Sequence, residues 1–175
     1  MGDDGARNRT ETDRPRVLVD AMCGTLATYL RMCGYDAAYA LDRGVEADDR
    51  LLAIADDERR VVLTRDRDLA ARADEAVRLT ERDVLDQLRE LDRAGFRIAL
   101  ADEPRHCGSC NGRVERAGAG DNAGDVAEGP DAGDVADRPG YVPDDADPAW
   151  RCRECGQWFW RGSHWDRVGE RIAEL

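Results

Sequence analysis

The sequence contains no lysine. All 26 of its basic residues are arginine, against 38 acidic residues, and the formal net charge is −12. A chain so acidic repels nucleic acid at low ionic strength, so its net charge lends no support to a nucleic-acid partner. In about 1 M salt the Debye length falls to about 3 Å and the global repulsion is largely screened. Acidity without lysine is the composition expected of a halophilic protein, such as one from a haloarchaeon with a saline cytoplasm. Also missing is any apolar run near the roughly 18–20 residues that a membrane helix needs. Met1 to Arg14 is polar and lacks the apolar core of a signal peptide. Ala6 stands where a myristoylation signal needs Ser or Thr. These absences predict a cytoplasmic protein with no membrane partner.

What is present is a chain of 175 residues, enough for one domain of about 100–150 residues and a small appendage. After a leader over 1–14, expected to be disordered, short apolar runs alternate with helical spacings. Strands are predicted over 16–20, 35–40, 60–64 and 76–79. Helices are predicted over 24–33, 48–57 and 66–73. A fourth helix follows, with Thr80 as its cap, Asp83 in its first turn and Gly95 as its stop. Strand and helix in alternation imply an α/β fold, a parallel sheet flanked by helices. Val17-Leu18-Val19 and Val61-Val62-Leu63 read as strands buried on both faces. Phe96 to Leu100 is either an added strand or a linker. Residues 117–149 carry nine acids and one arginine with few apolar residues, a composition that cannot order itself by burial. They read as a flexible acidic loop.

Ligands of open parallel sheets bind beyond the carboxyl ends of the strands. Asp20 ends the first strand, Asp66 follows the third, Asp68 opens the next helix and Asp48 opens the helix before the third strand. The four converge if the first and third strands are neighbours. Such carboxylates repel one another unless cations lie between them. Mg²⁺ or Mn²⁺ supplies hard, oxygen-loving charge, and two such ions can drive phosphodiester hydrolysis. Asp48 and Asp66 serve equally as helix caps or first-turn acids, and Asp49 is placed as well as Asp48.

Cys107-Gly-Ser-Cys110 and Cys152-Arg-Glu-Cys155 have the spacing of a tetrahedral Cys₄ zinc site. Such a site is closed and therefore structural. Cys23 and Cys33 read as small buried hydrophobes. Segments 105–116 and 150–163 hold six arginines and two glutamates, so the most basic stretches coincide with the cysteine pairs. Trp158 and Trp160 share one face by alternation, as the core of a small ribbon or as stacking platforms beside Arg151, Arg153 and Arg161. His164 contacts a phosphate or caps the last helix.

The stretch from Val19-Asp20 through Gly24 and Leu30 to Gly34-Tyr-Asp36 resembles the opening of the PIN-like RNase family named after the C-terminal domain of the Mut-seven exonuclease. Asp48 to Ala55 and Arg60 to Leu69 are similar to its central block, and the likeness extends to the cysteines and to Trp160-Arg-Gly-Ser-His164. The resemblance implies a PIN-like domain over 15–104 and a zinc ribbon over 105–175, the latter ending in a short helix. It also implies metal-dependent ribonuclease activity and carries the acidic positions over to Asp20, Asp48, Asp66 and Asp68. RNA is then the expected partner, with the ribosome and tRNA as candidates. Arg151, Arg153, Arg161 and His164 are the expected substrate contacts. The rivals are a non-catalytic RNA- or ribosome-binding adaptor and a toxin-type PIN ribonuclease.

Overall fold

The computed structural model describes residues 14–117, 139–143 and 145–175. The expected disorder of the leader, apart from Arg14, and most of the acidic loop lie outside the described residues. Four strands, β1 (Val17–Val19), β2 (Ala37–Tyr39), β3 (Val61–Thr64) and β4 (Ala76–Arg78), form one sheet in the order β2-β1-β3-β4. All three pairings are parallel. Helices α1 (Gly24–Met32), α2 (Asp48–Asp57), α3 (Arg67–Arg72) and α4 (Val84–Arg93) alternate with them.

Period-two alternation divides each strand between two cores. Val17, Val19, Ala37 and Leu63 face Leu26, Leu30, Leu88 and Leu91 of α1 and α4. Leu18, Ala38 and Val62 face Leu51, Ala55 and Leu69 of α2 and α3. Chain order reverses between β1 and β3: the connection from β1 runs outward to β2, and the next returns past β1 to β3. Such a reversal leaves a crevice at the carboxyl ends of the two central strands.

Three helices end in one motif. After α1, Gly34 (φ 82°) donates to Arg31 and Tyr35 to Leu30. After α2, Arg59 (φ 52°) donates to Asp56 and Arg60 to Ala55. After α4, Gly95 (φ 89°) donates to Asp92 and Phe96 to Leu91. Each is a Schellman stop, and the first two turn the chain directly into β2 and β3. The α4 cap differs from expectation. Asp83, not Thr80, accepts from the Leu85 amide, because the Thr80 amide and hydroxyl are bonded to the Glu90 carboxylate. Phe96 to Leu100 forms no strand. It is a strap that packs Phe96, Ile98 and Leu100 on the core, and Ala101 then donates to the Met32 carbonyl.

The amino-terminal end of the sheet is closed by ions. The Arg60 side chain is 2 % exposed and meets Asp36 at 2.8 Å and Glu58 at 2.6 Å. It also donates to the carbonyls of Val17 and Asp36. Burial alone would raise the Asp36 carboxyl, but hydrogen bonds from Arg60, Asn111 and Arg16 overcome it and hold Asp36 well below the ordinary carboxylate range. Asp36→Asn should therefore cost about 2–3 kcal/mol in a denaturant titration. That is below the full penalty for breaking a buried pair, because Asp36 is 24 % exposed and Glu58 stays on Arg60. The sign of the pH effect follows. A depressed folded-state pKa stabilises above the unfolded value of about 3.9, and that stability is lost as pH falls through the folded value. The denaturation midpoint should drop below about pH 4, and more shallowly in Asp36→Asn than in the parent.

Beyond the strap, β5 (Val114–Arg116), β6 (Ala149–Cys152) and β7 (Trp158–Trp160) form an antiparallel sheet in the order β5-β6-β7. Helix α5 (Ser163–Ala173) returns Val168 and Ile172 to the core of α1 and α4. The end of the acidic segment is not a loose loop. Val142 is buried with Ala149 and Trp158 in a small ribbon core. Among the described residues no helix is long and apolar enough to cross a membrane.

Candidate active site and metal centre

Asp20 leaves β1 at the crevice. Its backbone amide donates to Leu63 of β3 at 3.0 Å. Its carboxylate accepts from the Ala21 amide at 2.6 Å and from the Thr64 hydroxyl at 2.8 Å. That same hydroxyl accepts the Asp66 amide at 2.9 Å. A hydroxyl has one proton; with its lone pair engaged by Asp66, Thr64 presents the proton to Asp20. Asp66 then caps α3, accepting from the amides of Asp68 (2.7 Å) and Leu69 (3.0 Å). Those two bonds, with Arg72 contributing less, hold the Asp66 carboxyl below its ordinary value. Thr64 thus ties Asp20 and Asp66 to one another across β1 and β3. Sequence reasoning passed over this residue, although a Thr two positions before a capping Asp is the signature of a local side-chain turn.

The four expected acids do not come together as one metal-ligating group of three or more among the described residues. Asp68 shares the Asp66 turn through its amide and is exposed. Asp48 opens α2 and lies 3.5 Å from Arg72, which also pairs with Asp49. Next to Asp66 in the chain, the Nε of Arg65 is buried without a hydrogen-bond partner. Burial, followed by the Asp20 charge, pushes the Cys23 thiol up to about 11, and burial pushes Cys33 up to about 12. Both are inert buried thiols, as expected. Carboxylate oxygens suit Mg²⁺ or Mn²⁺, and Mg²⁺ is commonly held by only one or two carboxylates with water and substrate phosphate completing its shell.

The second site is sulfur. The Sγ atoms of Cys107, Cys110, Cys152 and Cys155 all lie within 4.8 Å of one another, the one group of three or more metal-ligating side chains so gathered among the described residues. Cys107–Cys155 and Cys110–Cys152 are each 3.6 Å apart. Four thiolates around zinc at about 2.3 Å place sulfurs about 3.8 Å apart, so the cluster could hold zinc. The two pairs are built alike. Asn111 (φ 65°) donates to the Cys107 carbonyl and Gly156 (φ 73°) to the Cys152 carbonyl. Burial opposes ionisation of Cys152, but the amides of Cys155 and Glu154 outweigh it and lower its pKa.

The first cysteine turn is docked on the open edge of β2. Asn111 Oδ1 accepts the Ala37 amide at 2.9 Å, and its Nδ2 donates to Asp36 at 2.7 Å. Buried Arg31 donates to the Ala37 carbonyl, to the carbonyls of Gly108 and Ser109, and to Asp42. The exposed amide and carbonyl of an edge strand thus find partners, and the ribbon is fixed to the sheet. Of the expected substrate contacts, Arg153 pairs with Glu115, Arg151 lies 5.9 Å over the Trp158 ring, Arg161 is exposed between β7 and α5, and His164 is exposed in the first turn of α5. Trp158 is core, as one of its two readings held.

Fold and site together define an α/β domain with Asp20 and Asp66 at the switch point of a parallel sheet and a four-cysteine ribbon docked on its edge strand. The chain belongs to the Mut7-C RNAse domain family, whose model matches residues 15–172 and so spans both sheets. No curated protein and no solved structure matches the chain. The family suggests ribonuclease activity, with RNA as the substrate class.

Proposed function

We propose that the protein is a metal-dependent ribonuclease whose reaction takes place at the carboxyl ends of β1 and β3. The observation that carries this reading is the Asp20–Thr64–Asp66 linkage at the switch point of a chain in a ribonuclease family. Asp20 and Asp66 would hold Mg²⁺ or Mn²⁺, joined by Asp68 and by Asp48 once it leaves Arg72. When bound, such ions polarise the phosphate and activate the attacking water. Thr64 keeps the Asp20 carboxylate in its accepting role. Asp66, pinned by two amides, cannot swing away from the edge. Arg65 offers a guanidinium, the group best matched to a phosphate. The domain over 15–104 would carry the chemistry. The unit over 105–175 would carry a structural zinc at the four thiols and grip RNA with Arg161 and His164. Titration with Mn²⁺ tests the site: the parent should bind it, and both Asp20→Asn and Asp66→Asn should bind it much more weakly. A zinc-loaded, folded parent that binds no divalent ion at this edge would instead be an RNA-binding adaptor.

A further inference from the structure

A groove of about 700 Å³ separates α1 from the ribbon. Gly24, Thr28, Arg31 and Met32 line one wall. They lie at spacings of four, three and one, a single face of α1 about 12 Å long. Phe159, Trp160, Trp165 and Tyr141 line the other wall. This lining is aromatic out of proportion to a chain that is 6 % aromatic. Tyr141 is 58 % exposed and its ring lies 6.4 Å from that of Trp160, tilted by 41°. An exposed tyrosine against a half-buried tryptophan leaves ring faces open to a flat ligand.

One end of the groove lies beside the residue that follows Asp20. Tyr39 lines it and donates its hydroxyl to the Ala21 carbonyl at 2.8 Å, one residue from Asp20. Gly24 keeps the passage narrow, since a Cβ there would lie 2.8 Å from the Tyr39 oxygen. Met22 and Leu41, the other large hydrophobics exposed among the described residues, follow β1 and β2 at this same edge. Charge agrees. The strongly acidic chain is locally basic in the two cysteine segments that build the ribbon, His164 lines the groove at its α5 end, and exposed Arg161 lies between the lining residues Trp160 and Gly162.

We propose that this groove is a base-stacking cleft for single-stranded RNA, with bases seated on Tyr141, Trp160 and Trp165 while the backbone runs along α1 to the carboxylates. The proposal rests on the ribonuclease reading for its ligand class. Stacking requires unpaired bases, so a duplex is excluded from the cleft. A 12 Å wall accommodates three or four stacked nucleotides at about 3.4 Å each.

All four tryptophans lie between residues 150 and 165, and three of them line the groove. Intrinsic fluorescence therefore reads the cleft without any need for cleavage. An oligoadenylate of about eight nucleotides should quench the fluorescence of Asp20→Asn in molar KCl, and a blunt RNA duplex of the same length should not. Tyr141→Ala, a change at an exposed position, should weaken oligonucleotide binding about tenfold, and Trp165→Leu similarly. Both should raise KM for single-stranded RNA with kcat retained. Quenching without cleavage by the parent would retain the cleft and defeat the nuclease reading. Cleavage with parental KM in both variants, or equal quenching by duplex, would overturn the cleft and leave the nuclease reading standing.

Discussion

Removing the metal from the four thiols should unfold the ribbon. Structural zinc in small Cys-rich modules contributes about 10–16 kcal/mol of apparent binding free energy at neutral pH, and that binding energy is folding energy. Among the described residues the ribbon core is Val142, Ala149 and Trp158 with a few half-buried neighbours, and buried Trp150 on β6, too small to fold unaided. Chelation, or Cys107→Ser, should therefore release the tryptophans to solvent and shift their emission to the red. The parallel sheet has its own two cores and should retain its far-ultraviolet dichroism. The β2 edge would lose Asn111 and the carbonyl partners of Arg31, so amide exchange at Ala37 should accelerate. An unchanged emission spectrum after stoichiometric zinc release would refute a structural role for the metal.

The second large effect is expected at Asp20. Divalent ions contribute several kcal/mol of transition-state stabilisation, and each 1.36 kcal/mol is tenfold in rate. Asp20→Asn should thus lower kcat about 10³-fold. The fold should survive, because the amide oxygen can still accept from the Ala21 amide, while the amide nitrogen that replaces the second carboxylate oxygen donates to the Thr64 hydroxyl oxygen in a reversed bond. Asp66→Asn should act in the same direction with an added loss at the α3 cap, where Asp66 receives two amides. Asp48→Asn should have the smallest effect of the acids, since Asp48 already shares Arg72 with Asp49.

Much of this arrangement is legible in the sequence, and the reason is local. The continuous apolar runs at 17–19 and 61–63 read as strands covered on both faces, and they fold as the two central strands of the sheet. The Asp48–Asp57 helix has its predicted bounds, because its acidic first turn and apolar spacing agree. The cysteine pairs announce their cluster by spacing alone. What the sequence hides is long-range. Asn111 and Arg31 look like ordinary polar residues, and only the fold shows them closing the open edge of β2. Thr80 reads as the cap with Asp83 in the first turn, but Glu90, ten residues away, takes the donors of Thr80. Asp48 reads as an unpaired acid at the start of its helix, and only the fold brings Arg72 to it. The groove between α1 and β7 exists only because the ribbon docks where it does.

The central claim is metal-dependent hydrolysis at the Asp20–Asp66 edge. Its most direct test is incubation of the zinc-loaded protein with single-stranded RNA in molar KCl, with and without Mn²⁺, beside Asp20→Asn and Asp66→Asn. The account predicts cleavage by the parent that requires Mn²⁺ and is lost in both variants. Cleavage that persists in Asp20→Asn, or no cleavage by a folded parent at any divalent-ion concentration, would contradict it.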